Sequence, residues 1–108
     1  MRPRCIIKVL SHDILIEEVP SGTYEDINQV AESDYRTGTI DLIEGMPPDV
    51  RGHTLIHEIL HIIESAQGLS LTEQDINSLA SGFYSVLRDN PDVIENIVDG
   101  KPLFWVEN

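Results

Sequence analysis

The sequence has 108 residues, enough for one domain spanning positions 1–108 with helices packed on a small sheet, and too few for a second independent core. Nineteen acidic side chains against seven basic ones leave a net charge of -12, which excludes nucleic-acid binding through the general surface, because phosphate contacts need Lys and Arg. The lone cysteine, Cys5, excludes an internal disulfide, and its place in the run Cys5-Ile6-Ile7 predicts a buried strand residue.

At the N-terminus Met1-Arg2-Pro3-Arg4 is basic, but the apolar stretch behind it is broken by Lys8 and Ser11-His12-Asp13. It is too short for a secretory leader or a membrane span, so the expected location is the cytoplasm. Residues 5–10 and 14–19 are rich in β-branched side chains and flank that polar cluster, which predicts a β-hairpin with His12 in its turn. Pro20-Ser21-Gly22 closes the unit, and the polar stretch 24–33 reads as a loop or a short helix. Thr39 to Ile43 puts Ile40 and Leu42 on one face and predicts a third strand at the sheet edge.

Gly45-Met46-Pro47-Pro48 stops that strand and starts a helix expected over 48–67, ended by Gly68. Thr72 then supplies an N-cap. Ile76, Leu79, Ala80, Phe83 and Leu87 make the apolar stripe of a second helix that ends near Arg88, shut off by Pro91. A short helix over 92–97 follows, and Leu103-Phe104-Trp105-Val106 is expected to dock on the core. The fold class expected is α+β: an antiparallel or mixed three-stranded sheet packed on two helices.

On the first helix Leu55, Ile56, Ile59, Leu60, Ile62 and Ile63 predict burial over most of the circumference, so its polar side chains require a reason. Thr54, His57, Glu58, His61 and Ser65 fall at spacings that form one stripe. Four residues of helix set His57 and His61 about 6 Å apart along the axis, close enough for both imidazoles to bind one ion. Glu58 beside them suits the general base that deprotonates a metal-activated water. Zinc usually takes a third protein ligand, and helical geometry leaves Glu73 and Asp75 both open. Thr72 with Asp75 reads as a capping box, which leaves Glu73 freer. Asn77, one turn further, is placed to hold the outer nitrogen of a histidine, and His53 is peripheral, too far from His61 to share its ion.

His57-Glu58-Ile59-Leu60-His61 followed by Glu73-Gln74-Asp75-Ile76-Asn77 resembles a compact gluzincin, similar to small phage-type metallopeptidases and to the core of ImmA/IrrE-type peptidases. The likeness covers residues 54–91. It implies a zincin-like fold with a glutamate-bearing second helix, Zn2+ as cofactor, and Glu73 as third ligand beside His57 and His61. The gap from His61 to Glu73 is shorter than in many gluzincins, which keeps Asp75 in reserve. The expected activity is hydrolysis of a peptide or protein substrate, with Glu58 as proton carrier and Tyr35 or Tyr84 as open choices for an oxyanion donor. Two other classes fit the sequence: a non-catalytic domain clamped by its metal, and an acidic phage-type accessory protein that binds a partner.

Overall fold

The computed structural model of the chain describes residues 3–104. Seven elements follow one another: β1 (Arg4–Val9), β2 (His12–Val19), β3 (Ala31–Asp34), β4 (Thr39–Ile43), α1 (Pro48–Gln67), α2 (Glu73–Asp89) and α3 (Pro91–Asp99). The strands form one mixed sheet in the order β1-β2-β4-β3, with β2 and β4 parallel and the two outer pairs antiparallel. The class is α+β. The sheet has four strands rather than three, and Thr39–Ile43 lies inside it rather than at its edge.

The missing strand is β3. Its sequence Ala-Glu-Ser-Asp has no β-branched or aromatic side chain, so nothing in it announces a strand. Pairing with β4 makes it one. The turn between them needs Gly38, whose φ is +70° and where any Cβ would stand 3.1 Å from the carbonyl oxygen of Asp13. The first hairpin turns earlier than expected. Leu10 and Ser11, at φ 49° and 70°, make a two-residue turn with both central residues left-handed, and His12 and Asp13 already belong to β2.

The core lies between the sheet and α1. Val9, Ile14, Ile16, Ile40, Leu42 and Ile62 cluster there, with Leu55, Ile59 and Ile63 packed against them. Ile14, Ile40 and Ile62 are wholly buried, each contributing about 1.5–3 kcal/mol of apolar burial. α1 rests mainly on β3 and β4, so the edge strand β1 is thinly covered. Cys5 is therefore exposed rather than buried.

Gly68 ends α1 in the left-handed conformation, and the Leu69 N–H closes back on the Glu64 carbonyl at 2.9 Å. The chain then reverses through residues 68–72, and a capping box at Thr72 and Asp75 starts α2 antiparallel to α1. Ile76 and Ala80 pack inward, while Leu79, Phe83 and Leu87 of the same stripe remain exposed. α1 is half-buried over most of its length, with Glu58 and Ile62 its only fully buried residues. Leu103 and Phe104 are exposed rather than docked, and Trp105 and Val106 fall outside the described residues. Among the described residues no helix is long and apolar enough to cross a membrane.

Candidate metal centre

Twenty residues of α1 run beneath β3, and the polar stripe turns toward that strand. Thr54, His57, Glu58 and His61 line an open cleft of about 360 Å³ that is walled by Gln29, Val30 and Ala31 on one side and by Glu73 and Asn77 on the other. A second hollow of about 310 Å³ continues along β3 past Ser33 and Tyr35 to Ser65. The edge strand beside the site is thus β3, in place of the Thr39–Ile43 segment.

The four-residue spacing does what helical geometry demands. The Nε2 atoms of His57 and His61 lie 3.2 Å apart, and the two rings meet nearly edge to face. Glu73, the first residue of α2, points one carboxylate oxygen at each ring: Oε1 is 2.8 Å from His57 Nε2 and Oε2 is 3.2 Å from His61 Nε2. Asp75 is not with them. Its carboxylate accepts the Thr72 N–H at 3.0 Å and its own N–H donates to the Thr72 hydroxyl, so the capping box engages it fully.

Glu58 is 6% exposed, the one buried charged residue among those described. Its ligand atoms, with those of His57 and His61, lie within 4.8 Å of one another and form a group that can hold a metal ion. Burial pushes its carboxyl above the ordinary range and the Glu73 charge adds to the rise, while the two histidines and the Ser33 hydroxyl pull it back. One carboxylate oxygen, Oε2, is buried with no hydrogen-bond partner among the described residues. An orphaned acceptor of this kind is costly in a closed core and useful at a site where a proton is to be taken up.

His61 is held from behind. Its Nδ1 lies 3.3 Å from Glu64 Oε1 while its Nε2 faces Glu73 Oε2 at 3.2 Å, so each ring nitrogen meets a carboxylate; in the tautomer that donates Nδ1–H to Glu64, the Nε2 lone pair is turned to the cleft. The other oxygen of Glu64 accepts the Leu71 N–H at 2.7 Å. Sequence reading missed Glu64, although its place three residues after His61 on the same helix was a usable signal. Asn77 lines the cleft, but the outer nitrogen of His61 belongs to Glu64. His53 lines the same cleft one turn before His57, with its Nε2 3.0 Å from the Ser81 hydroxyl on α2.

Of the two tyrosines weighed for an oxyanion role, Tyr84 packs its ring over Gly52 and His53 at the far end of the α1–α2 seam. Tyr35 lines the hollow beside Glu58, with its hydroxyl 3.3 Å from His12 Nε2.

Two imidazole nitrogens and a carboxylate that faces both form a donor set that could hold a metal ion. Metal–ligand bonds of 2.0–2.1 Å in a tetrahedron separate their donor atoms by about 3.3 Å, and the donor spacings here are 2.8 to 3.2 Å. The finding is a His-Glu-x-x-His cluster on a helix of a small α+β chain. No protein-family model, no curated protein and no solved structure matches this chain.

Proposed function

We propose that the chain is a zinc-dependent peptidase of zincin type, with His57, His61 and Glu73 as metal ligands and Glu58 as general base. The observation that carries this reading is the division of labour between two carboxylates. Glu73 faces both imidazoles from a side chain that is 63% exposed, whereas Glu58 is buried beside them with a free oxygen.

Bound zinc supplies a Lewis acid that polarises the scissile carbonyl and lowers the pKa of water to near 7. The chain supplies the rest. Glu58 accepts a proton from the attacking water through its unpartnered oxygen and passes it to the departing amine. Its burial beside the two imidazoles, with one oxygen unpartnered among the described residues, suits both halves of that transfer. Glu64 keeps the His61 lone pair directed at the site. An extended peptide lies along the outer edge of β3, which pairs with β4 alone and borders the cleft, so that main-chain hydrogen bonds hold the scissile bond over Glu58.

A quenched-fluorescence peptide library incubated with zinc-loaded protein tests the reading. Cleavage by the wild type, its loss in Glu58→Gln and retention of zinc by that variant support it. Equal cleavage by both proteins overturns the role of Glu58.

One observation favours a second reading: the ligands bridge two helices, two of them on α1 and one on α2, as a purely structural metal clamp would require. That reading predicts loss of the α1–α2 packing on chelation and no hydrolysis of any library member.

A further inference from the structure

The hollow that runs from the metal centre along β3 has a polar lining. It holds about 310 Å³, with Glu58 and His61 at one end and Ser65 at the other, and its only aliphatic lining residues are Ala31 and Ile62. Most ligand pockets are lined mainly by apolar side chains. A guest here has to be met by hydrogen bonds and charge.

The lining offers acceptors more than donors. Gln29 turns its amide nitrogen to the Ala31 carbonyl at 3.2 Å, which leaves its side-chain oxygen to accept. The Ser33 hydroxyl hydrogen-bonds Glu58, and because a carboxylate only accepts, the one serine proton is already engaged. Glu58 itself is 6% exposed, lines both this hollow and the adjoining cleft, and has an oxygen with no partner among the described residues. Glu32 adds a second carboxylate. The side-chain donors that remain are the hydroxyls of Tyr35 and Ser65 and the second amide hydrogen of Gln29.

Charge points the same way. Among the described residues no lysine or arginine lines this hollow or the adjoining cleft. The ion pairs of the described lysines and arginines go to Asp13, Asp89 and Asp99, so Glu32 has no cation of its own among them. Nor does Glu32 belong to a group of described ligand atoms close enough together to hold a metal ion. The guest that fits is an organic cation, and the net charge of -12 helps to draw one in.

We infer that the hollow receives a lysine or arginine side chain of the substrate, beside the scissile bond, with Glu32 as its counter-charge. The inference rests on the peptidase reading and names the substrate class of that same site. A lysine ammonium carries three donors and an arginine guanidinium five, and neither has an acceptor, which matches a lining rich in acceptors. A peptide laid on the β3 edge turns alternate side chains toward α1, and one of these enters the hollow. Glu32, Gln29 and Ser33 meet its charge, while Glu58 keeps its free oxygen for the reaction proton.

Blocked amino acids test this without hydrolysis. ¹⁵N spectra of the zinc-loaded full chain are titrated with Nα-acetyl-lysine N-methylamide and with the norleucine and glutamate counterparts. The lysine probe is expected to shift amides of residues 29–35 and 58–65. It should bind at least about tenfold tighter than the norleucine probe, the scale of one charge-assisted hydrogen bond. Equal affinities, or shifts spread over the acidic surface outside those residues, overturn the proposal. Norleucine N-methylamide, whose single cation is its α-amine, separates the two sources of an ammonium group. If it binds in the hollow as tightly as the lysine probe, the site belongs to a peptide N-terminus and the side-chain assignment falls.

Glu32→Gln is expected to weaken the lysine probe by up to about fivefold, the scale of an exposed ion pair, and Glu32→Lys by more. Glu32 is exposed, so both variants keep the fold by circular dichroism. A lysine affinity unchanged in both overturns the role of Glu32. The peptidase reading fails differently: a chain that cleaves no peptide leaves these titrations as they are. A chain that cleaves peptides with no enrichment of lysine or arginine beside the scissile bond contradicts the assignment of the hollow alone.

Discussion

Glu64 and His61 stand one helical turn apart with carboxylate oxygen and Nδ1 at 3.3 Å, and the second oxygen of the same carboxylate holds the Leu71 N–H at 2.7 Å. One side chain therefore offers an acceptor to the outer nitrogen of a candidate ligand and ties down the loop that delivers Glu73. Loss of an outer partner of this kind typically weakens metal binding by about 10- to 100-fold. Glu64→Gln is expected to fall in that range by competition with a fluorescent zinc chelator. In ¹⁵N spectra of the metal-free protein, the share of His61 in the Nδ1–H tautomer should fall, since Glu73 still faces Nε2 while Glu64 no longer offers Nδ1 a carboxylate.

Glu73 and Asp75 separate by position, the one at the two imidazoles and the other in the capping box, though only one residue lies between them. Glu73→Gln is expected to abolish stoichiometric zinc binding with little change in fold. Asp75→Ala is expected to keep the zinc and to lose about 1 kcal/mol of stability in urea, the usual cost of a broken helix cap. The opposite pattern would move the third ligand to Asp75.

Tyr24 provides a pH signature. Its hydroxyl is buried without a hydrogen-bond partner among the described residues. Desolvation, helped by Asp41, Glu32 and Glu58, pushes its pKa from 10.0 up to about 12. The folded chain thus keeps a proton that the unfolded chain releases, so stability falls as pH rises from about 10 to about 12 and is unaffected by this group well below that window. Tyr24→Phe should flatten that decline in denaturation curves taken at pH 9 and pH 11. At neutral pH it should leave stability within about 1 kcal/mol of the parent, because no formed hydrogen bond is lost.

The α1–α2 seam closes over Gly52. A Cβ there would stand 2.8 Å from Cε1 of Tyr84, whose ring also stacks beneath Arg88. Gly52→Ala gains about 1 kcal/mol of helix propensity against an overpacking cost of about 1–3 kcal/mol, so net destabilisation is expected. In a Tyr84→Ala background the clash disappears and the same change should become stabilising. A double-mutant cycle in urea reads this change of sign directly.

What the sequence made legible follows from the kind of signal involved. α1 and α2 were readable end to end, because Pro48, Gly68 and Thr72 mark their limits chemically and the histidine pair lies on a helix period. β3 was not, since its four polar residues become a strand only through β4, and with it went the true edge of the sheet beside the cleft. The exposure of Cys5 was equally hidden: whether an apolar strand is buried depends on where the covering helix lies. Glu64 is not distinguished in the sequence beyond its spacing from His61, because a glutamate on a helix is ordinarily a solvated residue and only the fold turns this one toward His61 and the Leu71 N–H.

Zinc content per chain, measured by elemental mass spectrometry after dialysis of untagged protein against metal-replete and then metal-free buffer, tests the metal centre most directly. The account predicts about one zinc retained by the wild type and none by His57→Ala with His61→Ala. A wild-type chain that retains no metal, or a double variant that retains as much as the parent, would contradict it.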